Sequence, residues 1–244
     1  MYREKIKKLV EWKESFNRKP LIIRGARQVG KTWLMKEFGK TYYEKCAYIN
    51  FDDNTRMMHL FEENIDIDKI IQGLKIESGV NIEPENTLII LDEIQETPKA
   101  LKALKYFYEN AQEYHIIAAG SLLGVALHEG TSFPVGKVDF INLTPLSFLE
   151  FLEALGQGSL VNLLKNNEFD LISVFSSKLK EYLKIYYYVG GMPEAVNSYI
   201  KNKDLIEVRQ IQEKLLFAYE QDFSKHAPNN IVPRIRQLWN NIPT

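Results

Sequence analysis

A single cysteine, Cys46, in 244 residues excludes an intrachain disulfide framework and points to a reducing compartment. The four histidines, His59, His115, His128 and His226, are scattered without ligand spacing, and one thiol cannot complete a zinc site. No window approaches the roughly 18 uninterrupted apolar residues of a membrane span. The charged N-terminus has no apolar core of signal-peptide length behind it. An excess of one charge is also missing: 31 Lys and Arg nearly cancel 32 Asp and Glu, leaving a formal −1. That balance does not support a broad nucleic-acid coat, although a local basic patch stays compatible with it. Gly120-Ser121-Leu122-Leu123-Gly124 has the wrong spacing for a G-x-S-x-G nucleophile elbow. No internal repeat or low-complexity tract occurs. The expectation is a soluble, cytoplasmic chain of one large or two modest domains.

What remains is ordinary globular composition, 45% hydrophobic and 26% charged, in a chain long enough to bury a core unaided. Residues 3–16 have helical spacing through Ile6, Leu9, Val10 and Trp12, with Lys5, Lys7 and Lys8 on the solvent side. Short apolar runs follow at 21–23, 47–51, 87–91 and 115–119, and 138–143 alternates weakly as a fifth strand. Helical patterns separate them, at 31–40, within 52–81 and over 98–110. Continuous apolar strands alternating with helices imply an α/β fold with a parallel sheet covered on both faces. After Pro145 the strands stop and helical stripes take over, through 148–155, 179–187, 193–200, 204–222 and 231–240. The expected division is an α/β core over 1–144, a helical lid over 145–228, and the start of a C-terminal module over 229–244.

Gly25-Ala26-Arg27-Gln28-Val29-Gly30-Lys31-Thr32 matches G-x-x-x-x-G-K-[ST] in full, and Trp33 continues into the predicted helix. Average usage makes a chance match in a chain this long on the order of 1%, and a strand before and a helix after the loop reduce it further. The glycines let the backbone curl so that successive N–H groups face phosphate oxygens. The helix opening at Lys31 adds the positive end of its dipole. Lys31 reaches the β- and γ-phosphates as a point charge, and the Thr32 hydroxyl binds Mg²⁺. Arg27 either contacts nucleotide or pairs outward.

Leu88-Ile89-Ile90-Leu91-Asp92-Glu93 is the expected second half of such a site. Asp92, at the carboxyl end of a parallel strand, is placed to hold Mg²⁺. Glu93 stands where a carboxylate orients or deprotonates the attacking water. Ser121, closing the next strand, is either a sensor of the γ-phosphate or the cap of a following helix. Gln95 is a weaker candidate to face the site. The Asn-Lys-x-Asp of a guanine site is missing, since Asn202-Lys203-Asp204 lacks the spacer, so ATP is favoured over GTP.

With these pieces assembled, the chain resembles the AAA-type P-loop ATPase domain of a bacterial and archaeal family usually followed by a domain of unknown function, DUF4143. The resemblance rests on Arg24 to Thr32, Leu91-Asp92-Glu93-Ile94-Gln95, Ala119-Gly120-Ser121, the stretch Leu143-Thr-Pro-Leu-Ser-Phe-Leu-Glu-Phe151 and Gly190-Gly-Met-Pro-Glu-Ala195. It implies a P-loop core, a helical lid and ATP with Mg²⁺ as ligands, and carries Lys31, Thr32, Asp92, Glu93 and Ser121 to the roles above. Relatives commonly read Gly-Arg at Gly136-Lys137, and a lysine cannot reproduce that planar fork. Relatives also continue beyond the position of Thr244, so DUF4143 is expected to be lacking here. Arg209, Arg234 and Arg236 are candidates for a trans-acting finger, with a solvated helix face as the simpler reading.

The function expected from the sequence is Mg²⁺-dependent hydrolysis of ATP to ADP and phosphate, coupled to a conformational change. The alternative is a nucleotide-gated switch or scaffold for protein or nucleic acid with negligible intrinsic hydrolysis. Either reading expects a protein partner or the lacking C-terminal domain, and is compatible with an oligomer.

Overall fold

The computed structural model describes residues 1–62, 65–120, 136–227 and 230–242. The chain divides into two compact units, one of residues 3–144 and one of residues 145–244 together with Met1 and Tyr2.

In the first unit, α1 (Lys5–Glu14) buries Leu9 and Trp12 and leaves Lys7 and Lys8 in solvent. Five parallel strands follow: β1 (Leu21–Arg24), β2 (Lys45–Asn50), β3 (Thr87–Asp92), β4 (His115–Gly120) and β5 (Asp139–Asn142). Their spatial order is β2-β3-β4-β1-β5. The two most continuous apolar runs, β3 and β4, are buried at every position and sit inside the sheet, as strands covered on both faces must. The weakly alternating segment near 140 is a true strand, at the edge beside β1.

Helices α2 (Lys31–Tyr42), α3 (Thr55–Glu62), α4 (Ile67–Ser78) and α5 (Pro98–Asn110) link the strands. Each of the last two is punctuated as its sequence suggests. The Asp66 carboxylate accepts from the N–H groups of Asp68 and Lys69 at the head of α4, and Gly79 ends that helix in the left-handed region. Pro98 occupies the first turn of α5, where its missing N–H costs nothing. One large core joins Ile49, Phe51 and Phe61 to Ile89, Leu104 and Phe107.

The strand register fixes where chemistry can occur. Arg24 pairs with Gly120 and Asn142, while Asp92 pairs with Ala119 and Asn50. All five strands therefore end along one edge, with the loop after β1 and the acidic pair after β3 emerging there. Parallel sheets bind ligands at this edge. Lys137 precedes β5 and so lies toward the opposite edge, where its ammonium pairs with Glu109 at 3.0 Å.

The second unit is helical: α6 (Phe148–Ala154), α7 (Gly158–Lys165), α8 (Phe169–Val174), α9 (Ser176–Val189), α10 (Pro193–Asn202), α11 (Leu205–His226) and α12 (Val232–Asn240). Helices α7 and α8 lie between the expected stripes at 148–155 and 179–187 and add to them. Two distant motifs meet here. The Leu146 N–H donates to the Gly191 carbonyl at 2.7 Å, and the Tyr186 hydroxyl donates to the Leu146 carbonyl at 2.7 Å. A Cβ on Gly191 would stand 2.2 Å from that carbonyl oxygen, so only glycine allows the approach. Ser147 and Glu150 then close a reciprocal capping box on α6. No helix of the described residues is long and apolar enough to cross a membrane.

His115 shows how burial sets chemistry within the sheet. Its Nδ1 lies 2.6 Å from the Tyr43 hydroxyl, with Trp12 packed against the ring. Burial pushes the imidazole pKa down to about 4, and Arg18 and Lys13 push the same way. Burial also raises the Tyr43 phenol, which stays protonated and can donate to the neutral ring. Between pH ~6.5 and ~4 the unfolded chain takes up a proton here that the folded chain refuses, so stability falls as pH drops through that window. From pH 7 to pH 5 this site is expected to remove about 1–2 kcal/mol. Urea unfolding checks it: the pH 7 to pH 5 loss should shrink by that amount in His115→Leu, and an equal loss in both proteins would contradict it.

Candidate nucleotide-binding site

The loop from Gly25 to Gly30 leaves β1 and enters α2. Its turn uses left-handed backbone at Gln28 (φ 64°) and Gly30 (φ 93°). At Gly25 a Cβ would stand 2.2 Å from the Leu143 carbonyl oxygen, so the loop's first glycine is fixed by close approach of the backbone. Gly30 precedes α2 and contributes no side-chain cap, which leaves the first-turn N–H groups of the helix directed at whatever lies beyond its end.

Lys31 is 6% exposed, and its ammonium donates to the carbonyls of Gly25 and Ala26, both at 2.9 Å. Desolvation lowers its pKa, Glu93 and Asp92 oppose that, and Arg27 adds to it. The lysine is thus folded back over the loop it belongs to, with the two carboxylates near enough to be felt. Val29 is fully buried, and its carbonyl accepts from the Arg3 guanidinium at 2.9 Å. Arg3 also donates to the Thr144 carbonyl, tying the loop to the segment after β5. Nothing in the sequence marks Arg3 for this, because the contact joins the N-terminus to a loop many residues later.

At the end of β3 the Asp92 carboxylate is buried and held by three donors. Oδ2 accepts from the Thr32 hydroxyl at 2.6 Å and the Tyr48 hydroxyl at 3.1 Å, and Oδ1 accepts from the Glu93 N–H at 3.1 Å. Burial, with Asp92 and Glu93 nearby, pushes the Tyr48 phenol up, which keeps it a donor. Glu93 has left-handed backbone (φ 53°, ψ 43°), and its Oε2 accepts from the Gln95 carboxamide at 2.6 Å. The Gln95 Oε1 is buried without a partner, an amide turned wholly toward its acidic neighbours.

The structure therefore brings Lys31, Thr32, Asp92, Glu93 and Gln95 to one edge. Arg27 is half-buried in the loop, Ala26 and Gln28 are exposed, and Trp33 is 40% exposed on the first turn of α2. Ser121 follows β4 directly but lies outside the described residues, as do Gly124 and His128. Arg209 pairs with Glu213 and Arg236 with Glu220 within the helical unit, and Arg234 is exposed.

The donor chemistry fits a magnesium nucleotide. A carboxylate and a hydroxyl are hard oxygen donors of the kind Mg²⁺ takes, supplemented by water and phosphate oxygens. No cluster of three or more His, Cys, Asp or Glu able to hold a metal occurs among the described residues.

No curated protein matches the sequence. Among solved structures the chain is similar to a Walker-type ATPase of Pyrococcus abyssi, with a TM-score of 0.57 and 17% identity over 94% of this chain and 77% of that one. Weaker likenesses are to the Drosophila ORC bound to DNA (TM-score 0.47, 13% identity, 86% of this chain and 66% of that one) and to PCH-2 of C. elegans (TM-score 0.43, 16% identity, 87% and 68%). Residues 180–244 match a domain of unknown function, DUF8612, rather than DUF4143. The sequence signature described as an AAA domain matches residues 17–152, more than half of the chain, and the protein belongs to that family as an AAA-type P-loop ATPase.

Proposed function

We propose that the chain binds ATP with Mg²⁺ at the strand edge, hydrolyses it to ADP and phosphate, and uses the change to move its helical unit as a lid. The observation that carries this reading is the Thr32–Asp92 bond at 2.6 Å, which joins the end of the phosphate loop to the acids that close β3. Lys31 is folded onto Gly25 and Ala26, Thr32 is bonded to Asp92, and Glu93 is held immediately beyond.

In this reading Gly25, Ala26, Arg27, Gln28, Val29, Gly30, Lys31, Thr32 and Trp33 form the nucleotide cradle, with backbone N–H groups and the Lys31 ammonium taking the phosphates. Thr32 and Asp92 hold Mg²⁺, which when bound supplies positive charge against the phosphate oxygens. Glu93 orients the attacking water and accepts its proton as the bond to the leaving ADP oxygen breaks. Ser121 senses the γ-phosphate. A reducing compartment such as the cytoplasm suits a chain whose one cysteine, Cys46, is free.

A second reading, a switch that binds ATP and turns it over negligibly, draws support from the Glu93–Gln95 bond, which engages the base at rest. Phosphate release by the purified chain with ATP and Mg²⁺ separates the two. A rate near the ~10 s⁻¹ of a median enzyme, or one that climbs with protein concentration, is the expected result. The concentration-dependent case points to a neighbour completing the site. Tight nucleotide binding with no release at any concentration would leave the switch.

A further inference from the structure

Tyr48 belongs to β2, a strand that none of the nucleotide motifs includes. In the β2–β3 register Tyr48 faces Ile90 and Asn50 faces Asp92. Residues two apart on a strand share a face, so Tyr48 and Asp92 project to the same side of the sheet from adjacent strands. The Tyr48 hydroxyl bridges the remaining gap and donates to Asp92 Oδ2 at 3.1 Å. Above the ring stands the Lys36 ammonium, 3.5 Å from its centroid. Lys36 is one helical turn past Thr32 on α2, and residues four apart on a helix share a face. Thr32 bonds the same Asp92 oxygen at 2.6 Å. The four side chains thus close a ring: Thr32 to Asp92, Asp92 to Tyr48, Tyr48 to Lys36, and Lys36 back to Thr32 through one turn of α2.

We propose that Tyr48 is a positioning residue for the metal-holding carboxylate: its hydroxyl fixes the orientation of Asp92 and thereby sets the affinity of the site for a divalent cation, with Lys36 holding the ring. The inference rests on the reading of Thr32 and Asp92 as the metal-holding pair. A carboxylate that must meet a small octahedral ion tolerates little rotation, and outer donors that fix a ligand commonly matter 10–100-fold in metal affinity when removed. Asp92 has the Glu93 N–H on Oδ1 and two hydroxyls on Oδ2. Of the two hydroxyls, Thr32 is the one that, in the proposed reading, would turn its oxygen to the ion. Tyr48 is the donor left to hold Oδ2 when it does. The Lys36 charge over the ring face draws electron density from the phenol and strengthens that donor.

Tyr48→Phe in the full chain keeps the ring and the Lys36 contact and removes only the hydroxyl. Mn²⁺ binding to the protein–ADP complex, followed by electron paramagnetic resonance, is expected to weaken about tenfold. Binding of fluorescent ADP in excess EDTA and the melting temperature should stay as in wild type. Lys36→Met should shift Mn²⁺ affinity in the same direction by less. An unchanged Mn²⁺ affinity in Tyr48→Phe overturns the proposal, as does a loss of ADP binding in EDTA, which would make Tyr48 a packing residue only. Asp92→Asn separates the underlying reading. If wild type and Asp92→Asn bind Mn²⁺–ADP alike, Asp92 is not a metal ligand and both ideas fall. If Asp92→Asn loses the metal while Tyr48→Phe does not, the Tyr48 proposal alone falls.

Discussion

Replacing Lys31 with alanine is expected to raise the ATP dissociation constant at least about 100-fold, a loss of roughly 3 kcal/mol of binding. The ammonium is buried, and its two hydrogen-bond partners in the loop are the carbonyls of Gly25 and Ala26. Desolvation already lowers its pKa, so the protein holds an incompletely compensated positive charge at this point. Such a charge is costly alone and becomes favourable when phosphate oxygens arrive, because attraction between buried ions is weakly screened. Alanine removes that compensation and leaves the loop N–H groups to hold the triphosphate alone. Lys31→Arg is not a rescue, since a planar fork cannot repeat the point contact of an ammonium with two carbonyls 2.9 Å away. Calorimetric titration with ATP and Mg²⁺ on the folded variant is the check. A dissociation constant within threefold of wild type would remove the loop from nucleotide binding.

The phosphate loop is legible because its function is local. Eight consecutive residues make the turn, the N–H cradle and the charge, so chemistry and sequence have the same order. The strands that flank it were legible for a similar reason, since burial on both faces writes a continuous apolar run into β3 and β4. Asp92 and Glu93 could be read from where β3 ends. Tyr48 and Arg3 could not, because each reaches the site across the sheet or from the N-terminus, and neither residue type announces the distance it spans. The Leu146 and Gly191 segments stood out as motifs without a visible reason. The reason is mutual: one backbone donates to the other at 2.7 Å, in a space that a Cβ would occupy. Helix α8 is six residues long and buries none of them, so no core-facing stripe is written into its sequence, whereas α7 does carry one at Leu160, Val161, Leu163 and Leu164.

Glu93→Gln is expected to lower turnover by about 10²–10⁴-fold while ATP affinity stays within a few-fold of wild type. The backbone at this residue makes the carboxylate a fixed group. Left-handed φ and ψ for a side chain with a Cβ cost on the order of 1 kcal/mol, and the conformation persists only where the surroundings impose it. Here the Glu93 N–H is held by Asp92 Oδ1, its carbonyl accepts from the Glu96 N–H at 3.1 Å, and its carboxylate is gripped by Gln95. The amide introduced by Glu93→Gln keeps the shape and can still meet Gln95, whose carboxamide has an unused buried oxygen to turn toward it. What the substitution removes is the negative charge and basicity with which the carboxylate would take the proton of water. In the proposed reading the loop N–H groups and Lys31 take the phosphates, and Lys31 keeps its bonds to Gly25 and Ala26, so binding and turnover should separate. Phosphate release and ATP dissociation measured on the same preparations decide it. Hydrolysis within threefold of wild type would exclude Glu93 as the base and return the question to what strains its backbone. A variant that traps ATP without turning it over would show that the strained residue is there to place one oxygen beside the water.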